Sequence, residues 1–169
     1  MLDQPVADDI DLVTEYCQDP VFERFMTLPW PYRRGDAEFF VTEFVPHGWR
    51  SDLEYTWAVR IDGGFAGVIG YRVPTRSVGF WLGAPHRGRG TMPEALTAVA
   101  DWAFQRGERE LRWECVLGNR ASLAAARKAG FRYTGQRPAE IPMRDGSRPE
   151  AWHGVLLRDD DRTEKDGWP

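Results

Sequence analysis

The sequence predicts an α/β domain built on a mixed sheet, and three observations lead there. Two apolar runs, Tyr55 to Ile61 and Phe65 to Tyr71, are separated by Asp62-Gly63-Gly64, the composition of a tight hairpin turn. From residue 91 onward, segments of helical periodicity alternate with short strands. Between those two regions runs Pro85-His86-Arg87-Gly88-Arg89-Gly90-Thr91-Met92, where two glycines permit a sharp turn just ahead of a helix.

In chain order, Ile10, Leu12, Val13 and Tyr16 recur near helical spacing and predict a helix over Asp8 to Cys17. Asp19-Pro20 opens a second helix toward Leu28, which the Pro-rich turn at 29–32 breaks. A third begins near Asp36, carries the stripe Phe39, Phe40, Val41 and Phe44, and is expected to end at Pro46. After the hairpin, Ser77 to Leu82 forms a further strand. The remainder reads as helix 91–105, strand 110–116, helix 119–129, strand 131–137 and strand 150–157. Residues 1–158 therefore form one domain, and 159–169 is an acidic C-terminal tail expected to fray.

A length of 169 residues with 42% apolar side chains suits a single core. The net charge of −4 speaks against a general nucleic-acid binder, so the local cluster His86, Arg87 and Arg89 stands out. Cys17 and Cys115 belong to no disulfide framework or metal-ligand spacing, and no metal is expected. No apolar run approaches the roughly 20 residues that span a bilayer, and the start lacks a basic region followed by an apolar one. The expectation is a cytoplasmic protein with no membrane or nucleic-acid partner.

The glycine turn is chemically specific. A helix beginning near Thr91 points its unpaired amides into the turn, which suits a pyrophosphate. No Gly-Lys-Ser or Gly-Lys-Thr follows, and the three spaced glycines with a later acidic residue of a dinucleotide site are missing. Taken alone, the octapeptide is also compatible with a plain strand-to-helix turn and solvated arginines. A second motif lies downstream in Val116-Leu117-Gly118-Asn119-Arg120-Ala121-Ser122, running on through Lys128-Ala129-Gly130-Phe131. Asn119 is a good N-cap, and Gly130 suits the left-handed residue that closes a helix.

Together the two motifs resemble the GNAT superfamily of acyl-CoA-dependent N-acyltransferases, in its RimJ/RimL-type branch of ribosomal-protein N-acetyltransferases. The likeness extends from Asp19-Pro20 and Pro29-Trp30-Pro31-Tyr32 to the strand Ala151 to Leu157. The family signature reads here as Arg87, Gly90 and Met92; Met92 departs from the usual Gly or Ala. Ser77 departs as well, since many relatives carry Glu just before the Gly-aromatic pair seen here in Gly79-Phe80-Trp81.

The resemblance implies an α/β GNAT fold, with a mixed, mostly antiparallel central sheet, a splayed strand pair and flanking helices. The splayed strands would be 77–82 and 110–116. It implies acetyl-CoA as acyl donor, with backbone groups near Phe80, Trp81 and Leu82 on the pantetheine arm and amides from Arg87, Gly88, Arg89, Gly90, Thr91 and Met92 on the pyrophosphate. Packing in the core is the alternative role for the Trp81 side chain. Asn119 would cap its helix and bond the arm, and Arg120 and Lys128 would approach the adenosine end or remain solvated. Relatives often form dimers, so a homodimer is a further expectation.

Direct attack of a neutral amine on a thioester requires deprotonation of the amine, stabilisation of an oxyanion and protonation of the leaving sulfur. The resemblance assigns Ser122 to the sulfur; the alternative is a first-turn serine that satisfies a helix amide. Glu114 is the carboxylate candidate for a base, although strand alternation also allows it the solvent face. An α-amine with a pKa of about 8 needs less help than a lysine at about 10.4. Trp30, Tyr32, Trp49 and Trp152 are candidate walls of the acceptor site, or core. The acceptor reads as a protein N-terminal amine or a small-molecule amine. Transfer of a larger acyl group, a CoA-binding regulatory module without turnover, and an interaction domain with an unrelated glycine turn are the other readings.

Overall fold

The computed structural model describes residues 1–169, which divide into two compact units: Met1–Pro74 with Gly79–Arg89, and Thr75–Val78 with Gly90–Pro169.

The first unit is built on an antiparallel hairpin. β2 (Glu54–Ile61) and β3 (Gly64–Arg72) pair from Glu54↔Arg72 to Ile61↔Gly64. Their turn works because Asp62 and Gly63 both adopt positive φ, 50° and 82°, the twist that matches two-residue hairpins. A short β1 (Leu2–Asp3), not foreseen in the sequence, adds antiparallel to β2. β4 (Ser77–Leu82) follows β3 in the strand order, and its Gly79–Leu82 portion is the edge of this unit's sheet.

Helices cover one face. A 3-10 turn, Ala7–Asp9, leads into α1 (Ile10–Cys17), and α2 is the short Val21–Phe25. Ile10, Val13, Cys17, Phe22, Ala37 and Val41 gather on Ala58, Val68 and Trp81. This burial of apolar area is what holds short helices that would not persist alone. α3 (Arg34–Phe39) does not stop at Pro46 as expected. A π-helical stretch, Phe40–Phe44, hands over to α4 (Val45–Ser51), where Pro46 falls in the first turn. The π-helical turn just before it accommodates the ring and the missing N–H, so the helix runs on past the proline. The helix ends instead at Asp52, with φ 59°.

Arg60 binds this unit together across the sheet end. Its guanidinium bonds both oxygens of Asp9, at 2.7 and 2.9 Å, and both of Asp3, at 2.9 Å. The Asp9 side chain is only 6% exposed. Arg60→Ala strands that buried carboxylate, and a cost of about 3–5 kcal/mol is expected. A melting-temperature drop under about 2 °C would show that the pair contributes little.

In the second unit β5 (Glu110–Val116), β7 (Glu150–Leu157) and β6 (Arg132–Pro138) lie in that order, antiparallel throughout. The start of β4 pairs with β5 in parallel through Ser77↔Arg112 and Val78↔Trp113. The fold is thus mixed α/β with a mostly antiparallel sheet, as expected. α5 (Thr91–Gln105) buries Met92, Ala95, Leu96, Val99, Ala100, Ala103 and Phe104. α6 (Arg120–Lys128) is capped by Asn119 and followed by Gly130 at φ 86°.

The tail departs from the expectation of fraying. Asp160 pairs with Arg132 and accepts the Leu157 N–H; Glu164 pairs with Arg127 and Arg162 with Asp101. Trp168 then packs against Trp113 and Tyr133, with ring centroids 5.7 and 5.5 Å away. A large indole and alternating charges supply the contacts that acidic composition alone does not suggest. No helix is long and apolar enough to cross a membrane, and no group of three His, Cys, Asp or Glu side chains is arranged to hold a metal ion.

Candidate active site

The glycine turn has the geometry of an anion cradle. Gly88 and Gly90 sit at φ 78° and 84°, which L side chains rarely adopt, and no heavy atom lies within 4 Å of a Cβ built at either. Gly90 is the residue before α5, no side chain caps that helix, and Pro93 brings no N–H. The amides of Gly88, Arg89, Gly90, Thr91 and Met92 find no acceptor within the chain. Unpaired amides at the positive end of a 15-residue helix attract an oxyanion. Met92, the departure from the family signature, is 5% exposed, so its side chain packs inward and leaves the turn unobstructed. The Arg89 side chain is exposed and has no ion-pair partner.

Arg87 is corrected to a different role. Its amide already donates to Ala84 O at 3.4 Å. Its side chain donates to Leu82 O at 2.8 Å and to Asp19 at 2.7 Å, and lies over the Phe22 ring. Burial works against the Asp19 charge, but the Val21 N–H and Arg87 outweigh it and hold the carboxyl below its ordinary range. Arg87 is therefore a brace between the turn and the start of α2, and Leu82 O is taken. Trp81 is a core side chain, edge-on to Phe22 and Phe65. Phe80 is half-buried on the edge segment.

The second motif closes around one hydroxyl. Asn119 Oδ1 accepts the Ser122 N–H at 3.2 Å, the N-cap bond foreseen. Ser122 Oγ accepts the indole N–H of Trp113 at 3.1 Å. Burial pushes the Cys115 thiol up to about 12, partly offset by a hydrogen bond from Ser122. Ser122 thus stands over the Trp113 and Cys115 face of β5. Arg120 lies over the Trp152 ring at 5.8 Å. Lys128 ends α6, about 12 Å along the axis from Arg120, and the two are not brought together.

Glu114 projects from the other face of β5, and it is not solvated. Its carboxylate accepts the amides of Glu140 and Ile141 at 2.8 and 2.9 Å and lies 3.5 Å from Nδ1 of His153. His153, 3% exposed, has no partner pattern in the sequence; its Nε2 lies 3.2 Å from Arg137 O. These residues line a cleft of about 340 Å³ together with Ser77, Arg112, Thr134 and Arg137. The 38 residues between Glu114 and His153 carry no local signal of the pairing; only the β5–β7 register, Glu114↔His153, creates it. Glu114 first serves to anchor the segment after β6.

The expected acceptor walls are mostly packed. Tyr32 is 4% exposed and its hydroxyl bonds Cys17; burial raises its pKa, with the Cys17 charge adding. Trp49 donates to Thr56 O at 3.0 Å and packs edge-on against Tyr55 and Trp57. Trp152 is buried beneath Arg120. Tyr32 and Trp152 are buried, and Trp49 is half-buried. Trp30 is half-buried too.

The α/β chain thus carries an uncapped glycine turn at the start of its longest helix and Ser122 in the first turn of an Asn-capped one. Residues 1–132 match the family described as an acetyltransferase (GNAT) domain, and the chain belongs to that family. Solved structures share the fold at low identity. The microcin self-immunity acetyltransferase MccE, in complex with acetyl-CoA and AMP, is 18% identical at a TM-score of 0.80, over 92% of this chain and 91% of that one. The Salmonella typhimurium acetyl transferase that modifies the N-terminal serine of a 50S ribosomal subunit protein is 16% identical at 0.80, over 94% of each chain. Mycobacterium smegmatis RimJ, in complex with CoA-disulfide, is 14% identical at 0.81, over 96% of this chain and 84% of that one. No curated protein sequence matches the chain.

Proposed function

We propose that this chain is an N-acetyltransferase that moves an acetyl group from acetyl-CoA to a primary amine, by preference a protein N-terminal α-amine. The observation that carries the reading is the run of five unpaired amides from Gly88 to Met92 around two left-handed glycines. Its support from relatives is the acetyl-CoA and CoA held by MccE and RimJ, and the N-terminal serine acceptor of the Salmonella enzyme.

In this reading the pyrophosphate of acetyl-CoA rests on the unpaired amides of the glycine turn that opens α5. The neutral amine nitrogen attacks the thioester carbon, and the tetrahedral oxyanion collapses as the carbon–sulfur bond breaks. The amine proton leaves to water, the departing thiolate takes a proton from Ser122, and water returns a proton to the serine oxygen. Ser122 suits this proton transfer because its oxygen accepts the Trp113 N–H, which fixes where the hydroxyl stands. An α-amine fits this modest machinery, because about a tenth of it is neutral at pH 7 whereas a lysine is almost wholly charged.

The test is thermal unfolding with acetyl-CoA, ATP and NAD, followed by thiol release with peptide amines. Acetyl-CoA at about 100 times its Kd stabilises the folded state by about 2.7 kcal/mol, which raises the Tm of a chain this size by roughly 5–10 °C. Equal shifts from ATP reduce the turn to a generic anion site. A large shift with no thiol release from any amine leaves a CoA-binding regulatory module.

A further inference from the structure

We infer that Trp168, at the C-terminal end of the tail, is a positioning residue for catalysis: it holds the Trp113 indole that orients the Ser122 hydroxyl. This rests on the role of Ser122 proposed above.

The chain of contacts is short and continuous. Trp113 is 2% exposed and has one polar side-chain atom, the indole nitrogen, whose N–H is aimed at Ser122 Oγ. The direction of that bond depends on how the ring lies. Trp168 meets it at 63° between planes, and Tyr133 in turn lies 40° from Trp168. Gly154, directly opposite Trp113 in the β5–β7 register, provides the room: a Cβ there would stand 3.3 Å from Trp113 and 3.4 Å from Trp168. Trp168 thus fills the space beside the indole that a side chain at Gly154 would otherwise share. Its own Nε1 is buried without a partner, so the residue is held by the packing of its ring and makes no polar anchor.

The tail reaches this place by successive attachments. Asp160 is fixed by Arg132 and the Leu157 N–H, the Arg162 backbone passes against Gly130, and Arg162 and Glu164 pair with Asp101 and Arg127. Those groups bring Trp168 to Trp113 without touching Ser122. A ring free to tilt would aim its N–H elsewhere, and the hydroxyl would lose the bond that fixes its position.

The experiment is a double-mutant cycle on thiol release at saturating amine, with acetyl-CoA varied. Trp168→Ala is expected to lower kcat about five- to tenfold with the KM for acetyl-CoA changed less than about twofold, since small misplacements of a reacting group cost rate steeply. Trp168→Phe, which keeps an aromatic face, restores most of the rate and is the variant to read should the alanine form fold poorly. In the Ser122→Ala background the Trp168→Ala change alters kcat by less than about twofold. Equal losses in both backgrounds, or a Trp168→Ala enzyme with full kcat, overturn the inference while leaving Ser122 in place. A Ser122→Ala enzyme with full kcat overturns the Ser122 reading itself, and the inference with it.

Discussion

Gly90→Glu is expected to abolish CoA binding while the chain remains folded. Gly90 sits at φ 84° with open space where a Cβ would go, so a longer side chain meets no clash. Holding an L residue in that conformation costs roughly 1–2 kcal/mol, which a fold of ordinary stability tolerates. The carboxylate then stands beside the amides of 88–92, satisfies some of them itself and repels a phosphate. Losing two charge-assisted hydrogen bonds at about 1.5–3 kcal/mol each weakens binding by at least roughly a hundredfold. Calorimetric titration with CoA reads the affinity, and a melting curve confirms the fold. Gly90→Ala carries the same backbone strain without the charge and is expected to lose less than about tenfold. A folded glutamate variant that binds CoA as well as the parent places the anion site away from this turn.

Ser122→Ala is the second large effect, and it falls on turnover. Proton transfer by a positioned side chain typically contributes about 10² to 10⁴ in rate. A loss of at least roughly tenfold in kcat is expected even if water substitutes in part. The acetyl-CoA affinity changes little, the pattern of an interaction made mainly in the transition state. The substitution also leaves the Trp113 N–H without its acceptor, so a stability loss of about 1–2 kcal/mol accompanies it. Thiol release and a melting curve separate the two. Unchanged turnover with a lowered Tm confines Ser122 to the support of Trp113 and α6; weaker CoA binding alone makes it a cofactor contact.

The features legible in the chain are those governed by a few consecutive residues. Asp62-Gly63 announces its hairpin because the turn needs two positive φ values in succession. Asn119 announces the start of α6 because its side chain bonds an amide three residues on. Gly88 and Gly90 mark the turn before α5 in the same way. Pro46 shows the limit of such reasoning, since a proline expected to end a helix is instead accommodated by the π-helical stretch at Phe40–Phe44 just before it. The functional side chains are less legible where their partners are remote. Arg87 carries the family signature, yet its guanidinium is claimed by Asp19, 68 positions earlier. Tyr32 and Trp152 have the composition of a binding wall, yet both side chains are buried.

By itself the sequence determined most of the succession of strands and helices, the glycine turn and the serine-bearing helix, since turns, caps and apolar periodicity act within a few residues. Tertiary structure alone decided that Glu114 is an anchored partner of His153, that Arg87 is a brace, and that Trp168 reaches Trp113 beside Ser122. Those outcomes depend on strand register and on where a distant side chain finds a charge or a cavity, and no spacing along the chain encodes that.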